Sequence, residues 1–412
     1  MKNKIEITII GLGYVGLPLL KALSNYYTTQ GVDSDRSKVQ DIINNKIDFE
    51  NCSFIKKNSV NLYTKLEDAK NSKNYIICVP TPINKFKKPD LKILINVLKQ
   101  LSRKIKKNDF VIFESTYYPG LTWELSKKYL ERKSFLINRD FYIGYSPERI
   151  NPGDKVNNLS NTFKLISASN KNKINYMKKI YGKICKNIHV CNSIEIAEMS
   201  KIIENVQRDI NIAFINEILL ICNKINLPFN DVYKAAKTKW NFLNFYPGLV
   251  GGHCISVDTY YLKHLTNKKR INTQIIDSGR SINEKMVIFF KSYVDSKFAK
   301  INRRIKILFL GYSFKENVSD LRNSKNLELF NLFRSDLSYI SEKFDPIVEK
   351  KNIYNFFKHN INKYDCIYIA VPHTVIADYG HLKLFNHLNK SGFIFDPKNL
   401  FSNFNHKKLI TI

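Results

Sequence analysis

Apolar positions recur along this chain in two rhythms, and the change from one to the other divides it. In the first part, short runs rich in Ile, Val and Phe alternate with stretches of helical spacing. Ile5–Ile10 predicts a strand, Gly16–Asn25 a helix and Thr28–Asp33 a second strand. Tyr75–Val79, stopped by Pro80, and Phe110–Phe113, ending at Glu114, predict two more, with a helical pattern over Leu91–Ile105 between them. Strands spaced by helices predict a parallel, doubly wound sheet.

From about Ile194 the rhythm lengthens. Ile196–Ile225 keeps helical spacing with no internal Gly or Pro and predicts one long helix. Helical patterns continue over Asp231–Ala236 and from Asp258 to Phe298. A second sheet-forming region opens at Ile305–Gly311. It continues through a helix at Leu327–Phe333, a strand at Cys366–Val371 and a terminal strand at Phe393–Asp396. The expected class is α/β, with two sheet domains at 1–193 and 301–412 joined by a long-helix central domain at 194–300.

Composition narrows the classes of function. At 412 residues, with 44% hydrophobic and 13% aromatic residues, the chain has ample core for more than one domain. No apolar run is long enough to span a bilayer. The basic start Met1–Lys4 resembles a signal peptide only until Glu6 and Gly11 interrupt it, so a cytoplasmic protein without membrane insertion is expected. The seven cysteines (Cys52, Cys78, Cys185, Cys191, Cys222, Cys254, Cys366) are scattered and lack CxxC spacing. That argues against a disulfide framework and a metal site, and it fits a reducing compartment. The formal charge of +30 suggests nucleic acid at first sight. Yet the lysines are dispersed among Asn and Ile, with no basic helix, stacking platform or Cys/His finger. Compositional drift in an AT-rich genome accounts for them, and no nucleic-acid partner is expected.

Gly11-Leu12-Gly13-Tyr14-Val15-Gly16 follows a strand and opens a helix, as a dinucleotide fingerprint requires. Gly11 permits the tight turn, Gly13 admits a pyrophosphate to the backbone and Gly16 lets helix and strand approach; Tyr14 and Val15 complete the loop. Asp33, ending the next strand, is suited to the adenosine ribose hydroxyls and repels a 2′-phosphate, which favours NAD over NADP; nearby Arg36 weighs the other way. Pro80-Thr81-Pro82 and Glu114-Ser115-Thr116 end two further strands, where a cofactor should cross the sheet.

A second group of residues carries chemistry. Cys254 follows the Gly251-Gly252-His253 turn and Asp258 lies four residues on. A thiolate that attacks a carbonyl carbon, with a carboxylate near to handle a proton or water, fits covalent catalysis. Alone, the cysteine also reads as a small apolar residue in a turn. Joined to a dinucleotide fingerprint, it points to oxidation through a thioester. Lys201 and Asn205 share one face of the long helix, and Arg208 extends it. Glu148 lies in a loop beyond an apolar strand.

The order of these motifs resembles the nucleotide-sugar dehydrogenases, which include UDP-glucose and GDP-mannose 6-dehydrogenases. The resemblance covers nearly the whole chain. It rests on Gly11–Pro18, Glu114–Thr116, Tyr145–Gly153, Ala197–Lys201 with Glu204 and Asn205, Gly251–Cys254 and Phe314–Asn317. It implies two Rossmann-like sheet domains around the helical centre, two NAD reduced per alcohol oxidised to acid at C6, no metal, and a dimer built on the central helix. It also implies roles. Cys254 would be the nucleophile; Lys201 and Asn205 would stabilise the reacting oxygen; Asp258 would stand beside the lysine and a water; Glu148 and Thr116 would serve thioester hydrolysis. Arg149, Tyr246, Gly251, His253, Phe314 and Lys315 would contact the UDP-sugar, and Arg322 would complete the cofactor site. His253 and the Lys239–Cys254 stretch resemble the branch acting on UDP-N-acetylhexosamines for surface polysaccharides (capsule or O-antigen), with UDP-glucose or UDP-N-acetylmannosamine as alternatives. Two positions depart from that branch. Tyr246 replaces a usual Arg, and Thr259 replaces a Pro and is expected to loosen the loop around Asp258. Without Cys254 the same fold would suit a two-electron hydroxy-acid dehydrogenase, and without the chemical groups an inactive scaffold.

Overall fold

The computed structural model describes residues 6–47, 49–149, 159–252, 255–404 and 406–412. His253, Cys254 and the Ile150–Gly153 end of one quoted motif lie outside them. Contacts gather the chain into two compact units, Met1–Glu204 with Tyr260–Ile271, and Asn205–Thr259 with Asn272–Ile412.

The first unit holds eight strands: β1 (Ile7–Ile10), β2 (Thr29–Val32), β3 (Asn61–Tyr63), β4 (Asn74–Ile77), β5 (Phe110–Phe113), β6 (Tyr142–Tyr145), β7 (Lys164–Ala168) and β8 (Ile188–Val190). Their order is β3-β2-β1-β4-β5-β6-β7-β8. β1, β2, β4 and β5 are buried along their whole length, as strands covered on both faces must be. Ile9, Ile76 and Ile112 join Leu17 and Leu20 of the helix Gly16–Ser24 in one core. β1 lies between β2 and β4, so winding reverses there and leaves a crevice beyond the strand ends. The sheet is parallel through β6, but β7 pairs with β6 antiparallel, Gly144 opposite Ala168. The expectation of a parallel sheet is corrected at that point. The reversal is hard to read because β7 starts on a lysine and carries Ser167, and so lacks the profile of a buried strand.

The second unit holds β9 (Ile305–Leu310), β10 (Tyr339–Phe344), β11 (Tyr364–Ile369), β12 (Leu388–Asp396) and β13 (Leu409–Thr411), all parallel in the order β10-β9-β11-β12-β13. Phe309, Tyr368 and Phe395 face a core shared with Met286, Phe290 and Val294 of the helix Gln274–Phe298. Leu308, Leu310, Ile367 and Ile369 face another with Ile353, Phe357 and Leu384. The expected terminal strand Phe393–Asp396 is the end of β12, and three-residue β13, too short to show a pattern, closes the edge instead.

The long central helix runs Ile194–Lys224. The helical pattern predicted from Asp258 to Phe298 is two helices, Ile255–Lys268 and Gln274–Phe298, parted near Arg270, whose φ is 56°. Among the described residues, twelve that are not glycine have positive φ, and eight of them are asparagine. Only six glycines do the same. No helix among the described residues is long and apolar enough to cross a membrane.

Candidate active site

In the first unit the three fingerprint glycines are needed for three different reasons. Gly11 has φ of 93°, and a Cβ there would sit 2.9 Å from the Cys78 carbonyl carbon and oxygen. A Cβ on Gly16 would collide with the Gly11 carbonyl oxygen, whereas one on Gly13 would meet nothing within 4 Å. Gly11 and Gly16 are therefore demanded by the fold, and the space over Gly13 is left clear for a ligand. Backbone N–H groups opening onto such a space, at the start of the helix Gly16–Ser24, fit a pyrophosphate. Tyr14 packs on Phe49, ring centres 4.3 Å apart, and Val15 caps the helix.

Asp33 is buried at the end of β2. Its Oδ2 accepts from the Leu12 N–H at 2.8 Å and from Lys38 Nζ at 2.8 Å; Oδ1 accepts from the Asp35 N–H at 3.0 Å. Lys38 escaped the sequence reading. Asp35 caps the next helix through the Lys38 N–H, and that cap sets where Lys38 stands. Arg36, at the first position of that helix, is exposed.

The loops after β4 and β5 are tied together. Ser115 Oγ donates to the Val79 carbonyl at 2.5 Å, and Thr81 Oγ1 to the Thr116 carbonyl at 3.1 Å. Tyr261 OH donates to the Thr81 carbonyl at 3.0 Å, while Pro80 is exposed. Glu114 lies beneath them, its side chain wholly enclosed. It accepts from Lys164 Nζ at 2.5 Å and from Tyr181 OH at 2.5 Å. Burial pushes its carboxyl up to about 7, against the pull of Lys164. Burial also works against the Lys164 charge, but Glu114 and Glu148 more than offset it and hold the ammonium protonated above the usual lysine range. Lys164 also reaches Glu148 at 3.4 Å.

Arg149 is committed to neighbours within the unit. It grips Glu204 at 2.8 and 3.1 Å and donates to the Phe163 carbonyl at 2.7 Å. Glu198, buried on the long helix, accepts from the Gly120 N–H, the Thr122 N–H and Thr122 Oγ1 at 2.6, 2.9 and 2.6 Å. It thereby caps the helix Leu121–Tyr129. Burial raises its carboxyl to about 7. Lys201 is half-buried on the same helix, and Arg208 is exposed.

In the second unit Asn205, one turn after Lys201, donates from Nδ2 to Asp258 Oδ2 at 2.5 Å. Asp258 is buried in the first turn of the helix Ile255–Lys268. Thr259 does not loosen this turn. Its Oγ1 donates to Asp209 Oδ2 at 3.0 Å and lies 3.1 Å from the Ile255 carbonyl. Asp209 is held in turn by Arg280 at 2.8 Å and Asn283 at 2.7 Å, so the hydroxyl supplies the rigidity that proline would have given.

The segment before Cys254 is clamped by Phe314 together with residues the sequence reading passed over. Asn216 bonds both the N–H and the carbonyl of Gly248, at 2.7 and 3.0 Å, and Lys398 lies over the same glycine. The Gly252 N–H donates to the Asn323 carbonyl at 3.0 Å. A Cβ on Gly251 would stand 2.5 Å from that oxygen, and one on Gly252 2.8 Å from the Phe314 ring. Tyr246 packs on Tyr233 with centres 4.8 Å apart. Ser313 Oγ donates to the Lys315 carbonyl at 2.9 Å, and Arg322 pairs with Asp320. Asn216 lies on the long helix, and Phe314, Asn323 and Lys398 lie in loops about 100 to 180 residues further on, so no local spacing could have assembled this clamp.

A glycine cradle at the winding reversal of a parallel sheet, an acidic residue at the next strand end and a second α/β sheet unit fit a dinucleotide-binding protein. Residues 5–185, 195–285 and 308–403 match the NAD binding, central and UDP binding domains of the UDP-glucose/GDP-mannose dehydrogenase family. The chain belongs to this family and is an NAD-dependent nucleotide-sugar 6-dehydrogenase. It is 36% identical to protein CapL of Staphylococcus aureus, over 96% of each chain. It is also 36% identical to a UDP-N-acetyl-D-glucosamine 6-dehydrogenase of Pseudomonas aeruginosa, over 91% of this chain and 92% of that one. Among solved structures, a UDP-D-ManNAc dehydrogenase from Pyrococcus horikoshii superposes with a TM-score of 0.87 at 26% identity over 99% of each chain.

Proposed function

We propose that the protein oxidises a UDP-N-acetylhexosamine, UDP-N-acetylglucosamine or its galacto epimer, at C6 to the uronic acid, for surface polysaccharide synthesis in the cytoplasm. The observation that carries this reading is the clamp on Gly248–Gly252. A segment pinned by Asn216, Asn323 and Phe314 precedes the cysteine in the chain, and the helix that carries Asp258 follows it. The 36% identity to a UDP-N-acetyl-D-glucosamine 6-dehydrogenase supports the sugar, and the CapL likeness supports a capsular product. UDP-N-acetylmannosamine is the second reading, favoured by the likeness to the Pyrococcus horikoshii enzyme.

NAD, when bound, supplies the electron acceptor for both oxidations. Cys254 thiolate attacks the C6 aldehyde carbon, forming a C–S bond. Lys201 and Asn205 carry the charge on the resulting oxygen. Asn205 is oriented for this by Asp258, which accepts from its amide. After the second oxidation, water adds to the thioester carbonyl while Glu148, with Thr116, takes its proton; the C–S bond breaks and the thiolate leaves with the acid free. Arg149 fixes the Glu148 loop through Glu204, and Glu114 and Ser115 support the cofactor loops from below. We assign substrate contact to His253, Tyr246, Lys315 and Phe314, and cofactor contact to Arg322, from the resemblance of their motifs. The work divides as cofactor binding in 1–193, catalysis and pairing in 194–300, and UDP-sugar binding in 301–412. The central helix exposes Ile196, Met199, Ile203, Phe214 and Ile221 at whole-turn spacing, a stripe suited to the same helix of a second copy in a homodimer.

The test is the yield of NADH per sugar consumed, with UDP-N-acetylglucosamine, UDP-N-acetylgalactosamine, UDP-N-acetylmannosamine and UDP-glucose side by side. Two NADH per N-acetylhexosamine, and no net acid formed by Cys254→Ser, is the expected result. Turnover of UDP-glucose alone would overturn the branch, and acid formation by Cys254→Ser the covalent route.

A further inference from the structure

The Ser313–Asn317 loop lies between β9 and the helix Lys325–Ser335 and has no regular structure of its own, so side chains must hold its shape. It is tied at both ends. At the near end the Ser313 N–H donates to Asp345 Oδ2 at 3.0 Å, and the Ser313 carbonyl accepts from Asn326 Nδ2 at 3.3 Å. Ser313 Oγ turns inward to the Lys315 carbonyl at 2.9 Å. At the far end Asn317 adopts the left-handed conformation, with φ of 57°. Its N–H donates to His373 Nδ1 at 2.8 Å, its Nδ2 donates to Thr374 Oγ1 at 2.9 Å, and its Oδ1 accepts from the Thr374 N–H at 3.0 Å. Phe314 and Lys315 stand between the two ties, and a Cβ on Gly252 would come within 2.8 Å of the Phe314 ring.

His373 links the two ends. It is wholly buried, at the N-cap of the helix Thr374–Tyr379. A backbone N–H can only donate, so the Nδ1 that faces Asn317 is bare and the ring hydrogen sits on Nε2. Nε2 then donates to Asp345 Oδ2 at 3.1 Å, the oxygen that also takes the Tyr312 and Ser313 N–H groups. Asp345 is fixed in turn, since its Oδ1 accepts from the Ile347 and Val348 N–H groups at 3.0 Å each. One aspartate therefore anchors the near end of the loop directly and the far end through the ring. A buried histidine satisfied at both nitrogens is commonly a packing residue. Here the amide that the ring holds closes the turn carrying Phe314 and Lys315.

We propose that His373 is a positioning residue for the UDP-sugar: by accepting the Asn317 N–H it holds the Phe314–Lys315 turn in the shape that receives the nucleotide. The proposal rests on the assignment of Phe314 and Lys315 to substrate contact. His373 acts through the turn, so its loss should weaken affinity for the nucleotide, while the Gly11–Gly16 cofactor cradle belongs to the other unit and should not respond. The two ring nitrogens have separate tasks, one tying the ring to Asp345 and the other tying the loop to the ring.

Two near-isosteres separate these tasks. In His373→Asn the carboxamide oxygen takes the place of Nδ1 and accepts the Asn317 N–H, but the side chain is too short to reach Asp345. In His373→Gln the carboxamide NH2 takes the place of Nε2 and keeps Asp345, but no acceptor stands at Nδ1. UDP binding, followed by calorimetry, should weaken about tenfold or more in His373→Gln and stay within about threefold of wild type in His373→Asn. KM for UDP-N-acetylglucosamine should follow UDP, with kcat at saturation and the NAD Kd little changed. Hydrogen exchange of the Asn317 amide should be faster in His373→Gln than in His373→Asn. A merely structural role would make both losses follow urea stability, and equal UDP affinities in the two variants overturn the proposal. If they do not fold, Asn317→Gly keeps the N–H and the left-handed turn but loses both side-chain bonds to Thr374. UDP affinity within about threefold of wild type then supports the proposal, and a loss of about tenfold overturns it. Normal UDP binding by Lys315→Met would remove the reading of the turn as substrate-binding, and the proposal with it. A Lys315→Met defect beside equal Gln and Asn variants would overturn the role of His373 alone.

Discussion

The two sheets begin with the same device and put it to different uses. After β1, Gly11 turns with φ of 93° against the Cys78 carbonyl group, and Asp33 at the end of β2 accepts the Leu12 N–H. After β9, Gly311 turns with φ of 83°, a Cβ there would lie 2.7 Å from the Val371 carbonyl oxygen, and Asp345 after β10 accepts the Tyr312 and Ser313 N–H groups at 2.8 and 3.0 Å. The parallel ends there. In the first unit a helix starts at once and the room over Gly13 stays clear. In the second, His373 fills the corresponding corner, with Nε2 3.1 Å from Asp345 and Nδ1 accepting the Asn317 N–H at 2.8 Å. The room that stays clear over Gly13 in one sheet is taken up by His373 in the other. The glycine and the aspartate make the corner; what stands beside them sets how much room is left over it.

Substitutions can break this comparison at graded cost. Gly16→Ala should be the most damaging, at about 3 kcal/mol or more in urea unfolding, because its Cβ meets backbone with no side chain to yield. Gly13→Ala should leave stability within about 0.5 kcal/mol yet weaken NAD binding at least tenfold in a fluorescence titration. Equal stability losses for the two would refute the division of roles.

Asp345→Asn should cost about 3 kcal/mol at pH 7, since the carboxylate serves four backbone N–H groups as well as His373. Burial opposes its ionisation, but His373 and the N–H groups outweigh that and hold the carboxyl at about 2. A depressed carboxylate adds stability above its ordinary value of 3.8 that is lost as pH falls towards 2. The gap between wild type and variant should therefore narrow between pH 4 and 2, and a constant gap would count against the ionised aspartate. Asp33→Asn should act mainly on the ligand, raising the NAD Kd about tenfold, roughly 1.4 kcal/mol.

The smallest effect belongs to Glu198. Its carboxyl is raised by burial to about 7, so folding takes up a proton between pH 4.5 and 7 and this group's contribution falls as pH rises. The advantage of wild type over Glu198→Gln should be larger at pH 5 than at pH 7.5; the reverse trend would mean that Glu198 is ionised throughout.

Legibility in the sequence followed how locally each feature is encoded. β1, β4, β5, β9 and the long helix were readable because one uninterrupted pattern carries each. Gly11, Gly13, Gly16 and Asp33 were readable because a turn fixes their spacing. β7 was not, since a buried lysine breaks its apolar run, and neither was Lys164 itself, whose meaning depends on carboxylates 50 and 16 residues away. Thr259 was misjudged for the same reason. Its partner Asp209 is 50 residues distant, and only the fold reveals that a hydroxyl does the work of a proline.

The asparagines in left-handed turns have a practical consequence. At these eight positions the chain uses a side chain that tolerates the conformation where glycine would adopt it freely. Positions such as Asn45, Asn108, Asn138 and Asn362 lie outside the candidate active site. Each is an engineering handle, where Asn→Gly trades relieved backbone strain against extra freedom in the unfolded chain. These four turns are thus independent places for tuning heat resistance, away from the residues assigned to catalysis.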